Sequence, residues 1–218
     1  MAQHTIDLPC IADTYCSYEN PNTNYGNATV LRAGGYLLEG TLYYERYFAL
    51  FKFDTSLLPP RKKINYVGLR LYSVKAMPGA AYAQVAYSDY ANTWDELTAN
   101  YNNINSQDIG SFYAVYYTNG IPSNAWVEVD VTQSTIISAI LNGNISTKGM
   151  YMYWRNVTPP NPPSSDYWEV HSRENINPPV LRVIYEDVPP DKPTLISPIG
   201  EYKDSNSIIR FEWQYNSS

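Results

Sequence analysis

Histidine and cysteine are scarce in this chain of 218 residues, with two of each. With only His4 and His171, a histidine-based acid/base site has little to draw on. No Gly-x-Ser-x-Gly elbow, phosphate loop, His-Glu-x-x-His run or cysteine pair at metal spacing occurs either. Cys10 and Cys16 lie six positions apart, and on one extended segment that separation is about 20 Å, beyond disulfide reach. Both are expected as free thiols unless Ala12 and Asp13 turn tightly. Basic clusters are missing apart from Arg61 to Lys63, and the net charge is −6, so no nucleic-acid partner is expected, since phosphates call for a basic stripe. Nowhere do about 18 consecutive apolar residues suggest a membrane span. The opening MAQHTIDLPCIADTY has no basic segment followed by an apolar run, so no signal peptide is expected. A leader lost from this chain, release by lysis inside a phage-like particle, and a cytosolic location all stay open.

Tyrosine is what the chain has in excess, 22 residues against 5 phenylalanines, with 17% charged residues. Such a surface is polar but weakly charged, as on extracellular and glycan-contacting proteins. The length suits one generous all-β domain, or one domain and a fragment of another.

The organising stretch is Arg46 to Val74. Tyr47, Ala49, Phe51 and Phe53 alternate with Phe48, Leu50, Lys52 and Asp54, and Val67, Leu69 and Leu71 alternate with Gly68, Arg70 and Tyr72. That period of two predicts strands with one buried face. Between them, Pro59, Pro60 and three cations predict an exposed connection. Further strands are expected over Thr5 to Tyr18, Val30 to Ala33, Ala83 to Tyr87, Phe112 to Tyr117, Trp126 to Val131, Met150 to Arg155, Trp168 to Ser172 and Pro179 to Tyr185. Gly34 to Glu45 reads as a loop or hairpin, and Asn119-Gly120 as a turn. One helix follows Thr132, its expected N-cap, carries Ile136, Ile137, Ile140 and Leu141, and stops at Asn142-Gly143. Eight to ten strands with one short helix predict an all-β fold, an antiparallel β-sandwich of jelly-roll type. This domain covers residues 1–187. A double-proline linker covers 188–192, and residues 193–218 are too few to enclose a core.

Several motifs stand in order along the domain. They are ADTY at Ala12 to Tyr15, NYGN at Asn24 to Asn27, RYFALFKFDTSLLP at Arg46 to Pro59, VGLRLY at Val67 to Tyr72, TWDELTANYNN at Thr93 to Asn103, VEVDVT at Val127 to Thr132, and HSREN with PPVLRVIYE at His171 to Glu186. Together they resemble the DNRLRE family, the disaggregatase-related repeats, which overlaps the β-sandwich carbohydrate-binding modules of microbial surface proteins and polysaccharide lyases. Tyr101 stands where that family often has a second tryptophan, and Ile104 where a proline usually follows the paired asparagines. KPTLISP and IRFEWQY in the tail resemble the first two strands of a fibronectin type III-like domain. The resemblance implies a module of a larger extracellular or virion protein with a glycan as ligand.

Among candidate residues, Tyr113, Tyr116, Tyr117, Tyr153 and Trp154 occupy strands with rings on both faces, so some must meet solvent, where sugar C–H faces stack on aromatic rings. Trp94, Trp126 and Trp168 are expected in the core. Asp95 and Glu96 read as a solvated loop or a clamp on backbone N–H groups, and Arg173 with Glu174 as an ion pair pinning the last strands, with Arg46 as its relative across the sheet. Asp13, Asp54 and Asp130 offer hard oxygens to a structural calcium, although no spaced loop marks a site. No other cofactor is expected. The expected function is a non-catalytic module that binds a polysaccharide or cell-surface glycan. The alternative is a structural subunit of a phage-like particle or appendage, whose tail strand, Ile208 to Tyr215, completes a neighbouring subunit.

Overall fold

Period-two alternation drives most of the chain into strands. The computed structural model describes residues 2–39, 42–87, 94–104, 114–156, 167–189, 194–197 and 212–214, with side chains described outside 36–45, 77–87, 114–119, 154–156, 194–197 and 213–214. In chain order the strands are β1 (Gln3–Ser17), β2 (Val30–Glu39), β3 (Leu42–Phe53), β4 (Lys62–Ser73), β5 (Met77–Tyr87), β6 (Ala114–Ile121), β7 (Ala125–Asp130), β8 (Met150–Asn156), β9 (Tyr167–His171) and β10 (Val180–Asp187). Helices α1 (Ser134–Leu141) and α2 (Asn144–Thr147) lie between β7 and β8. A separate antiparallel pair, β11 (Thr194–Ser197) with β12 (Glu212–Gln214), follows. Among the described residues no helix is long and apolar enough to cross a membrane.

All pairings in the main sheet are antiparallel, as expected, but six strands close on themselves in the order β1, β10, β4, β9, β2, β3 and back to β1. This is a barrel-like ring rather than two open sheets. The cause is β1. Its first half, Gln3 to Pro9, pairs with β10, and its second half, Cys10 to Ser17, pairs with β3, with a bulge between Cys10 and Ala12. A bulge adds local twist and bends the strand, which lets one strand serve two neighbours. β7 attaches to β4, while β8, β5 and β6 continue outward from β3.

The main core collects Phe51, Phe53, Val67, Leu69, Leu71, Val129, Trp168, Leu181 and Val183, with Ile136, Ile140 and Ile145 contributed by the helices. The other face of β3 is buried too, contrary to the one-faced expectation. Phe48 and Leu50 join Cys16, Tyr151, Tyr153, Trp94 and Ala99 in a second cluster, flanked by Tyr101 and Ile104. The polar-looking segment 94–104 is its lid, fixed by Trp94 Nε1 donating to the Lys148 carbonyl at 2.8 Å.

Other differences have local causes. Lys62 and Lys63 enter β4 because Asp187 and Glu186 face them across the ladder, and opposite charges stabilise a cross-strand pair. Gly34 to Glu45 is mostly strand, and Asn119-Gly120 runs inside β6, where Gly120 pairs with Pro78. Thr132 does not cap α1. Its hydroxyl oxygen accepts from the Val67 N–H at 2.9 Å, and Gln133 stands at the cap position. Helix α2 begins after Gly143, whose φ of 70° suits glycine. Both cysteines are free, as expected.

Trp168 is fully buried and its Nε1 donates to Ser73 Oγ at 2.9 Å. Trp168→Phe removes that bond and leaves a partial cavity, so stability to urea is expected to fall by about 1–3 kcal/mol. An unchanged unfolding midpoint would show that this contact contributes nothing.

Candidate functional site

Strand β9 divides its side chains cleanly. Trp168 and Val170 are buried, while Tyr167, Glu169 and His171 take the opposite face and stay partly open. On β2, Arg32 pairs with Glu169 and Gly34 with Tyr167. Arg32 Nε donates to Glu169 Oε1 at 3.1 Å, and its side chain is 37% exposed. The guanidinium lies 5.8, 5.7 and 5.4 Å from the ring centroids of Tyr15, Tyr47 and Tyr167. Gly34 stands between Tyr47 and Tyr167 in the register and has φ of 96°. Lacking a side chain, it leaves room for the two rings to meet edge to face at 5.0 Å. Tyr15 stacks on Tyr25 at 4.1 Å. Arg46, held by Glu19 at 2.8 Å, lies over Tyr47, and Lys75 Nζ lies 4.5 Å from the Tyr167 centroid.

Beyond the other end of β9, the His171 ring lies 4.7 Å from Tyr72, and Tyr72 meets Trp126 edge to face at 5.6 Å. Arg70 lies over Trp126 at 5.1 Å. Trp126 is 41% exposed, which corrects the expectation of a core position. Val127 and Val129 fill the inward positions of β7 and leave Trp126 outward, whereas Trp94 and Trp168 are buried as expected.

These contacts form an aromatic and cationic strip along β9, running from Lys75 and Tyr167 past Arg32 and His171 to Trp126. Arg32, Arg46 and Lys75 stand against Glu19 and Glu169 at its first end. Burial opposes the charge of Arg32, but Tyr15, Tyr167 and Glu169 outweigh it and hold the guanidinium above its ordinary pKa. Burial pushes the Tyr15 hydroxyl well up and lowers His171, favouring the neutral form of each. His171 Nδ1 is buried with no hydrogen-bond partner among the described residues. Fixed guanidinium donors, carboxylate acceptors and ring faces are the groups that hold sugar hydroxyls and C–H faces.

Of the residues singled out for ligand contact, those described fall on other strands. Tyr153 is 4% exposed inside the second cluster and is not part of a solvent platform. The lid over β3 and β8 covers it, and nothing in its own strand pattern signals that lid. Tyr113 lies outside the described residues. Tyr116 and Trp154 both pair with Ala83 of β5, and Tyr117 pairs with Tyr82; their side chains lie outside the described set.

Four of the sequence motifs meet near the β1 bulge. The Asp13 N–H donates to Glu96 Oε1 at 2.7 Å, so Glu96 is the backbone clamp that one reading of its loop expected. Arg173 donates to both Glu96 oxygens, at 2.8 and 2.6 Å, and pairs with Glu174 at 3.1 Å. Its own backbone N–H donates to Asp13 Oδ2 at 2.7 Å. Asn24 Nδ2 donates to the carbonyls of Glu96 and Ala99 at 2.8 and 2.7 Å. Burial pushes the Asp13 carboxyl up to about 7, opposed by the Arg173 N–H and reinforced by Glu174 and Glu96. Arg46 does not join this group but pairs with Glu19. Asp54 and Asp130 serve local turns, accepting from the N–H groups of Ser56 and Thr132.

The model of carbohydrate-binding module family 96 matches residues 4–185, a span that holds both the strip and the meeting motifs. None of the curated proteins matches the chain. Within the matched span, a Cβ on Gly26 would collide with the Glu96 carbonyl oxygen. Gly26→Ala is therefore expected to destabilise the fold by about 1–3 kcal/mol, read as a lower urea midpoint. A variant as stable as the parent would show that the Glu96 loop is loosely seated.

Proposed function

The chain belongs to carbohydrate-binding module family 96, and from that membership we propose that it binds a polysaccharide or cell-surface glycan, without catalysing a reaction on it, along the strip from Tyr167 to Trp126. The observation that carries this reading is the set of partly open rings with charged donors and acceptors between them. Tyr167, Glu169 and His171 alone extend over about 13 Å of β9, room for more than one sugar ring. Trp126 supplies a partly exposed ring, and Arg32 and Glu169 supply directed hydrogen bonds to hydroxyls. Within the family, the motifs read as those of the DNRLRE repeats. Residues 193–218, joined through 188–192, read as the opening of a fibronectin type III-like domain, which suits one module of a larger protein outside the cell, at a cell surface or on a virion.

A glycan array with soluble competitor identifies the ligand, and calorimetry then measures the variants. Trp126→Ala and Arg32→Ala are each expected to weaken binding about tenfold or more, the loss of roughly 1.4 kcal/mol or more of contact, with the thermal midpoint nearly unchanged for Trp126→Ala. If both keep parental affinity while Tyr117→Ala with Trp154→Ala abolishes it, the ligand sits on β6 and β8 and the strip is the wrong site. A folded chain silent toward every glycan would favour the architectural alternative.

A further inference from the structure

We propose that Asp13, Glu96 and Glu174 hold a structural calcium ion. One oxygen from each lies within 4.8 Å of the others, and among the described residues this is the one such set of three. Oxygens on opposite sides of a calcium ion are about 5 Å apart, since each bond is about 2.4 Å. Asp13 is 1% exposed, and its Oδ1 is buried with no hydrogen-bond partner among the described residues. A buried carboxylate oxygen that neither the backbone nor a side chain satisfies calls for a further partner.

The charge balance points the same way. The guanidinium of Arg173 pairs with Glu96 and Glu174, and Asp13 accepts only from the Arg173 backbone N–H, so with all three carboxyls ionised the group carries more negative charge than that guanidinium offsets, which a divalent cation would counter. Arg173 orients Glu96 and Glu174 without exhausting them, because each ionised carboxylate offers about four acceptor positions. All three donors are hard oxygens, which selects against zinc and copper. Dedicated protein carboxylates suit calcium better than magnesium, which keeps most of its water.

The three ligands come from β1, from the lid segment 94–104 and from the turn after β9, so the ion joins parts of the chain that are distant in sequence. It would add to the closure of the ring at the β1 bulge and fix the end of β9 that carries His171. The site is independent of whether the strip binds a glycan.

The test uses the full chain freed of metal by a chelator. Calorimetric titration with calcium chloride is expected to show one ion bound per chain. At a free concentration near one hundred times Kd, the thermal midpoint is expected to rise by about 5 to 10 °C, with a smaller rise for magnesium. Glu174→Gln, at a partly open position, should melt like the chelated parent and show neither binding heat nor a midpoint shift; Asp13→Asn should behave alike if it folds. A parent chain with no binding heat and no shift in millimolar calcium overturns the proposal. So does a Glu174→Gln chain that keeps the full shift, since the ion would then bind elsewhere.

Discussion

The exchange of partners within β1 is the constraint on which the rest of the molecule depends. Up to Pro9 the strand hydrogen-bonds to β10, and from Cys10 it hydrogen-bonds to β3. Without that exchange the β10 and β3 edges would each present unpaired backbone groups, which in a sheet invite association with other chains. Closing the ring removes both edges and surrounds Phe51, Phe53, Leu69 and Val183 with strands. The bulge that permits the exchange leaves Asp13 close to the junction. It is there that the Asp13 N–H meets Glu96 and the Asp13 carboxylate meets the Arg173 N–H. The motifs that carry the family likeness therefore supply the place where the ring closes, through Asp13, Asn24, Glu96 and Arg173, and also part of the strip, through Tyr15, Tyr47, Tyr72 and His171.

The strip is a product of the same alternation that builds the core. Burying Trp168 and Val170 obliges Tyr167, Glu169 and His171 to face outward, and burying Val127 and Val129 does the same for Trp126. Two of the rings under the strip belong to the core: Tyr15 and Tyr47 are 5% and 6% exposed. Tyr47 buries its ring while its hydroxyl keeps a polar partner by donating to Glu19. Although the chain carries net negative charge, three cations gather over Tyr15, Tyr47 and Tyr167, each able to interact with a ring face.

Strand content was legible because it depends on neighbours in sequence. Tyr47, Ala49, Phe51 and Phe53 declared one face of β3 by period alone, and Val67, Leu69 and Leu71 declared β4. What lay hidden depends on partners far away. The burial of Phe48 and Leu50 on the second face needs Trp94 and Ala99, supplied by a segment whose composition is that of a loop. Tyr153 goes under the same lid, so a ring in a strand with aromatics on both faces gave no measure of exposure. Trp126 was the reverse case. It shares its alternation class with Glu128 and Asp130, which marked that face as outward, and that pattern outweighs the general tendency of tryptophan to be buried. The partner of Arg46 was equally nonlocal, since Glu19 is brought to it only by the pairing of β1 with β3.

Strand β9 connects the two special regions physically. Its residues at 167, 169 and 171 carry the strip, and two positions beyond its end Arg173 donates its backbone N–H to Asp13 and its guanidinium to Glu96. A short strand of five residues has few ladder bonds of its own, so the position of its rings depends on what holds its ends. On one side that support is the register with Arg32 and Gly34 of β2; on the other it is the carboxylate group at the β1 bulge. Recognition by a face of preset rings favours a surface that loses little freedom on binding. Distance therefore does not make the Asp13 junction irrelevant to the strip, because the junction fixes the strand whose side chains would meet the ligand.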